Sequence, residues 1–244
     1  MKKIKLKEFL LRTERLSNWS LFENRAFGSD LDMPLRRDII FAVPDLHGRA
    51  DIAIQIIEIL SVLNAKRIVF LGDYIDRGSN SKGVVDAIKN AQVQNPNWIA
   101  LMGNHELMFI ENISSGIVDP TSKGLYSQLE KSEITAYVNH ITNLPAFYET
   151  KHLIFTHGGI ESSYRETNFN NIPVTELLWS YGVNPQYAFK KIIRGHTAID
   201  IPTELNNNNV CLETQGWIVG KPFHIGIISD SVADQNLIGW LELK

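Results

Sequence analysis

The 244-residue chain has a single cysteine, Cys211, which excludes an internal disulfide framework and suits a reducing compartment; the expectation is a cytoplasmic protein. Charge of neither sign dominates. Twenty-four Lys and Arg stand against 27 Asp and Glu, for a net charge of −3 and a pI of about 6.2, so the electrostatic footprint of a nucleic-acid binder is missing. No apolar run approaches the roughly 18 residues of a membrane span, and none is expected. The start, MKKIKLKEFLLRTERL, is basic but lacks a continuous apolar segment of signal-peptide length; its spaced leucines and phenylalanine predict an amphipathic surface helix. There is no internal repeat and no linker. What is there, 44% hydrophobic residues over the full length, suffices for one substantial core. The expectation is a single domain over residues 1–244, with residues 1–36 as an N-terminal extension packed on or near it.

The apolar pattern alternates between strand and helix. Residues 37–43, 66–71 and 97–102 read as strands. Residues 49–63 read as an amphipathic helix with apolar positions at Ile52, Ile56, Ile59, Leu60 and Leu63, and residues 81–94 and 105–113 as further helices. This order implies an α/β fold with a largely parallel sheet. A polar stretch over 114–127 and a helix over 132–142 follow. Short strands then dominate, at 152–156, 190–194, 210–213, 223–229 and 237–243, with a turn at 206–209.

Five of these strands end in the same way. The first runs into Pro44-Asp45-Leu46-His47-Gly48 and the second into Gly72-Asp73-Tyr74-Ile75-Asp76-Arg77-Gly78. The others run into Gly103-Asn104-His105-Glu106, Thr156-His157-Gly158-Gly159 and Arg194-Gly195-His196-Thr197. Each time an apolar run stops and a metal-ligand type of side chain appears beside glycine, where the backbone must turn sharply. The carboxyl ends of sheet strands form the edge on which open α/β folds build their sites, so the five endings can converge on one crevice. Asp45 and His47, at i and i+2, are expected on one side of an extended strand end. With Asp73, Asn104, His157 and His196 they make six oxygen and imidazole ligands without thiolate, a set suited to Mn, Fe or Zn. Six exceed what one catalytic ion with open positions needs; they suit two divalent ions roughly 3.5–4 Å apart that share a carboxylate.

In this order the motifs resemble those of calcineurin-like metallophosphoesterases, in the phosphoprotein phosphatase branch that includes bacterial and phage serine/threonine phosphatases and symmetrical diadenosine tetraphosphate hydrolases. The likeness extends over residues 38–230. It implies a four-layer α/β fold, two mixed β-sheets packed as a sandwich with helices on the outer faces. It implies that Asp45 and His47 bind a first ion, that Asp73 bridges, and that Asn104, His157 and His196 bind a second, with Mn expected and Fe or Zn as alternatives. It further implies that His105 protonates the leaving group, that Asp76 orients His105, and that Arg77 holds the phosphate together with Asn104 and His105. The implied reaction is hydrolysis of phosphoserine or phosphothreonine proteins or of small phosphate esters, by direct attack of a metal-activated hydroxide and without a phosphoenzyme. The alternatives are a symmetrical dinucleoside polyphosphate hydrolase and a catalytically weak metal-dependent binding protein. No aromatic clamp for a nucleotide is recognisable in the sequence, and the oligomeric state is unknown.

The chain departs from the family pattern in three places. Pro44 stands where the first motif usually has glycine. Glu213-Thr214-Gln215 stands in place of Asp-Thr-Gly. No arginine follows Trp179, where a second phosphate-binding one is usual. Arg165, shortly after His157-Gly158-Gly159, is the expected substitute, ahead of Arg194. Trp179 itself reads as a core aromatic, Glu106 as a helix-start residue or one that supports the ligands from behind, and His140, His152 and His224 as ordinary histidines.

Overall fold

The computed structural model describes residues 19–23, 39–116, 124–164, 167–182, 190–205, 209–230 and 237–244. The expected N-terminal helix and Arg165 lie outside the described residues. Strands β1 (Trp19–Glu23) and β2 (Ile39–Val43) lead into helix α1 (Ala50–Val62), then β3 (Ile68–Phe70), α2 (Ser81–Gln94), β4 (Trp98–Ala100), α3 (Asn104–Ser114) and α4 (Ile134–Thr142). Strands β5 (Phe147–Glu149) and β6 (Leu153–Thr156), helix α5 (Val174–Trp179), then β7 (Lys191–Arg194), β8 (Thr203–Leu205), β9 (Asn209–Cys211), β10 (Phe223–Ser229) and β11 (Leu237–Leu243) complete the order.

The strands form two mixed sheets, ordered β1-β11-β10-β2-β3-β4 and β5-β6-β7-β9-β8. The first has a parallel half, β2-β3-β4, joined to antiparallel strands through β10, and the second a parallel centre, β6-β7-β9, flanked by antiparallel β5 and β8. All of β2 is buried, and its side chains alternate between the two faces of the sheet. Ile40 and Ala42 face inward with Val69, Leu153, Phe155, Ile193 and Val210, from both sheets, which makes the filling of the sandwich. Ile39, Phe41 and Val43 face the other way, against Ile52, Ile56, Ile59 and Leu60 of α1 and Val84 and Ile88 of α2. On the far side Ile154 and Ile192 meet Leu177 of α5 with Phe169 and Ile172. The fold is therefore α/β in four layers, as the family resemblance implies.

Three short strands were not expected. The strand β1 falls within residues 1–36 and adds to the sheet edge by antiparallel pairing with β11. Strands β5 and β8 are three-residue edge strands. Asn209, expected in a turn, opens β9. No helix among the described residues is long and apolar enough to cross a membrane.

Candidate active site

The parallel strands of both sheets deliver their carboxyl ends to one edge, and the loops beyond them are stitched together by backbone hydrogen bonds. Leu46 and His47 donate to the Asp73 carbonyl at 3.0 and 2.9 Å, Gly48 donates to Tyr74 at 2.7 Å, and Gly195 donates to His157 at 3.0 Å. The fit is close enough to demand glycine. Gly72 has φ of +99°, and a Cβ there would lie 2.6 Å from Gly103 Cα. Left-handed backbone concentrates here too. His47, Asp73, Asp76, Arg77, His196 and Gln215 all have φ between 40° and 67°, a region that costs non-glycine residues energy and is held only where the surroundings over-determine it.

Asp45 and His47 do share a side, but not for the reason their spacing suggests. Strand β2 stops at Val43, and His47 is left-handed, with φ of 40°. The turn, closed on the Asp73 carbonyl, brings His47 Nε2 to 3.9 Å from Asp45 Oδ2.

Asp73 lies at the centre. Its Oδ2 is 3.5 Å from His47 Nε2 and 3.9 Å from His105 Nε2. Its Oδ1 is 3.4 Å from His157 Nε2 and accepts from the His105 amide at 3.0 Å. Asn104 Oδ1 sits 2.9 Å from His157 Nε2. Two groups of ligand atoms result, His47 with Asp73 and His105, and Asp73 with His157 and His196, each close enough to surround an ion. Asp45 is buried beside them, its Oδ1 accepting from the His196 amide at 3.2 Å.

The donor set fits divalent metal ions. His47 Nδ1 donates to the Ile75 carbonyl at 3.0 Å and His157 Nδ1 to the Leu71 carbonyl at 2.9 Å. A backbone acceptor at Nδ1 orients each ring so that Nε2 is the nitrogen turned toward the other ligand atoms. His196 Nε2 is buried without a hydrogen-bond partner among the described residues. Burial holds the His47 and His196 imidazoles neutral, down to about 4. It lowers His157 as well, but the Asp73 and Asp45 charges outweigh it and raise that ring to about 10. Burial pushes the Asp45 carboxyl up to about 6 against the pull of His157. The floor thus gathers buried negative charge that a cation neutralises.

At the side of this floor His105 Nδ1 is 2.7 Å from Asp76 Oδ2. Burial lowers the His105 ring, but Asp76 and Asp73 raise it further, so the net shift is upward. Arg77 Nη2 lies 3.5 Å from His105 Nε2. Asp45, His47, Asp73, Arg77, Asn104, His105 and His196 line one cleft of about 360 Å³, while His157 is buried beneath it with no exposure. The model of calcineurin-like phosphoesterases matches residues 40–216, which carry every one of these side chains. The chain belongs to that family.

Solved structures agree on the fold. A protein serine/threonine phosphatase from Saccharomyces cerevisiae aligns with a TM-score of 0.64 at 17% identity, over 83% of this chain and 79% of that one. A candidate diadenosine tetraphosphatase aligns at 0.58 and 14% identity, over 80% and 91%. A cold-active protein-tyrosine phosphatase from a psychrophilic Shewanella aligns at 0.55 and 16%, over 81% and 78%. The present phosphoesterase is therefore a hydrolase of phosphoester bonds with the metallophosphoesterase fold.

Other residues around this phosphoesterase site have roles that the sequence left open or did not mark. Glu106, buried at the start of α3, accepts from the amides of Asp73, Tyr74 and Gly103 at 2.8, 2.9 and 2.8 Å. It starts the helix and also fixes the loop that carries Asp73, in line with the supporting role expected of it. Glu106→Gln turns a donor toward these amides and should lower stability by about 1–3 kcal/mol, the cost of an unmet buried donor; urea unfolding measures it. Trp217 lies with its ring centroid 5.0 Å from the Arg77 guanidinium and 5.0 Å from the His47 ring, and its carbonyl accepts from Arg49 at 3.1 Å. Nothing local marks Trp217, which is distant in sequence from both partners. Trp179 is not a core residue: it is 42% exposed and lines the cleft with Tyr181. Arg194 is fully buried, its Nε donating to Asn209 Oδ1 at 3.0 Å and its Nη1 to Thr197 Oγ1 at 2.5 Å, so it does not reach the cleft. His224 lies outside the cleft, with Nδ1 2.7 Å from Thr214 Oγ1 and Nε2 3.3 Å from Glu242 Oε2, and anchors the loop bearing Glu213 and Trp217.

Proposed function

We propose that the protein is a phosphomonoesterase that uses two divalent ions, Mn first among them, and acts on phosphorylated side chains or small phosphate esters. One observation carries this reading: the His105–Asp76 pair stands beside Asp73, whose two oxygens face separate histidine groups. Asp45 and His47 would hold one ion, Asn104, His157 and His196 the other, and Asp73 both. The ions supply Lewis-acid activation of water and neutralise charge on the phosphoryl oxygens. His105 then serves as the proton donor to the departing oxygen, since Asp76 at 2.7 Å favours its charged form and orients its ring. That pairing supports His105 as an acid over His105 as a ligand, although its Nε2 lies within reach of the first group.

Arg77 presents a planar fork to the phosphate oxygens. The face of Trp217 steadies it through a cation–π contact, with Nη2 turned toward His105. One charge-assisted contact contributes about 1.5–3 kcal/mol. Arg77→Ala is thus expected to weaken inhibition by inorganic phosphate about tenfold or more, at 1.4 kcal/mol per decade. Trp217→Ala should weaken it only several-fold, on the order of the 0.5–1 kcal/mol of an exposed cation–π contact. Equal losses would argue against this division of labour.

The test of the whole reading is a turnover assay on protein stripped with chelator and then resupplied with Mn²⁺. It compares an aryl phosphate, phosphopeptides and diadenosine tetraphosphate. Stripped protein should be inactive, and Mn²⁺ should restore hydrolysis of the monoesters. Preference for diadenosine tetraphosphate would transfer the assignment to dinucleoside polyphosphate hydrolysis, and inactivity on all three with both ions bound would leave a binding protein.

A further inference from the structure

The mouth of the cleft beside His196 is aromatic where the family pattern places an arginine. Trp179 ends α5 and Tyr181 follows two residues later, with Ser180 between them in extended backbone, φ −67° and ψ 132°. Ser180 points inward: it is buried, and its hydroxyl donates to Glu161 Oε1 at 3.1 Å and accepts from the Gly182 amide at 2.9 Å. Trp179 and Tyr181 are 42% and 64% exposed, and both line the cleft. The placement is rigid. Gly158 donates to the Leu177 carbonyl and Gly159 to the Ser180 carbonyl, both at 2.7 Å. A Cβ on Gly159 would lie 2.2 Å from the Gly182 oxygen, so the glycine pair after His157 serves to carry this segment against the site.

The two rings border the chemistry. Tyr181 lies 4.6 Å from the His196 ring and tilted by 40°, Trp179 6.3 Å away and edge-on. Met108, one turn beyond His105 on the same face of α3, lines the same cleft, and α5 packs against α3. Trp179, Tyr181 and Met108 thus share one cleft with His105, the residue that would meet the departing oxygen. Exposed large aromatics at a concave polar site mark a binding surface. At about 360 Å³ the cleft lies near the small end of the roughly 300–1,000 Å³ range of ligand sites, which accommodates a phosphate and one ring better than an extended dinucleotide.

We propose that Trp179, Tyr181 and Met108 form a leaving-group subsite that selects phosphomonoesters whose bridging oxygen is bonded directly to an aromatic ring, in preference to alkyl phosphates such as phosphoserine. The proposal rests on the phosphomonoesterase reading above and narrows its substrate class. Stacking of one ring on another contributes enough to change binding about two- to tenfold.

Two measurements on the full-length, Mn²⁺-loaded protein test it. The first compares kcat/KM for phosphotyrosine and phosphoserine peptides of one sequence, with phenyl phosphate as the small aryl arm, in wild type, Tyr181→Ala, Trp179→Ala and Tyr181→Phe. The aryl-to-alkyl ratio should fall about two- to tenfold in each alanine variant, mainly through KM, and Tyr181→Phe should keep it. A shift confined to phenyl phosphate would place the subsite's natural ligand among small aryl esters, and a shift shared by the peptide would include phosphotyrosine. The second measures calorimetric binding of phenylphosphonate and methylphosphonate, which needs no turnover. Wild type should favour the phenyl compound, and Tyr181→Ala should erase the preference. If no substrate is hydrolysed, the phosphomonoesterase reading fails and the phosphonate pair still decides the subsite. Equal phosphonate affinities in wild type, or ratios unmoved by both alanine variants, would overturn the proposal.

Discussion

Replacing His105 by alanine is expected to leave the metal content unchanged and to lower turnover by about 10²–10⁴, the usual scale of general acid catalysis. The expectation follows from the position of the ring. Its Nδ1 is committed to Asp76 at 2.7 Å, and its Nε2 faces the cleft beside Arg77 and Asp73. A proton donor matters in proportion to how badly the leaving group needs the proton. The loss should therefore be greatest on an alkyl phosphate and shrink on nitrophenyl phosphate, whose leaving group departs as a stable anion. Asp76→Asn should give a milder form of the same pattern, because it removes the charge that holds His105 protonated without removing the ring. An equal loss on both esters would defeat the acid assignment. So would loss of bound metal in His105→Ala, since the ring would then belong to the first ligand group.

Much of this arrangement was legible in the sequence because the central strands announce themselves. An apolar run buried on both faces, ending in glycine and a polar residue, marks a strand and its functional loop at once. The helix at Ser81–Gln94 and the strands at Phe223–Ser229 and Leu237–Leu243 have the bounds their patterns predict. The edges were not legible. Strands β5 and β8 are only three residues long and half-exposed, too short for alternation to register. Trp179 misled for a related reason. It follows Leu177 and Leu178, both buried, and a run of three apolar residues looks like core. Its exposure is set by Ser180 turning inward onto Glu161 and Gly159, contacts that no local pattern carries. The contact of Trp217 with Arg77 is likewise tertiary, set by Arg49 reaching the Trp217 carbonyl from the first loop. Without these positions the sequence offers no aromatic partner for a substrate; with them the cleft has an aromatic wall on each side of its floor.

The most severe effect is expected from Asp73→Asn. The substitution keeps size and shape, and asparagine tolerates the left-handed backbone found here, with φ of 55°. The fold should survive, and with it the bonds from Leu46 and His47 to the Asp73 carbonyl. What changes is one carboxylate oxygen. Oδ1 faces His157 and the His105 amide, whereas Oδ2 faces His47. An amide nitrogen in either place cannot ligate a cation, and the charge that serves both groups is gone. Metal stoichiometry by calorimetry should fall from two to one or fewer, with the remaining ion bound more weakly. Hydrolysis should drop on the order of 10³ or more, because the ions supply several kcal/mol of charge stabilisation in the transition state, at about 1.4 kcal/mol per decade. His47→Ala offers the contrast. It disturbs only the first group and should leave the second ion in place. If Asp73→Asn still binds two ions with wild-type affinity, the two histidine groups do not depend on a shared carboxylate, and Asp45, buried beside them, becomes the residue to test for the bridge.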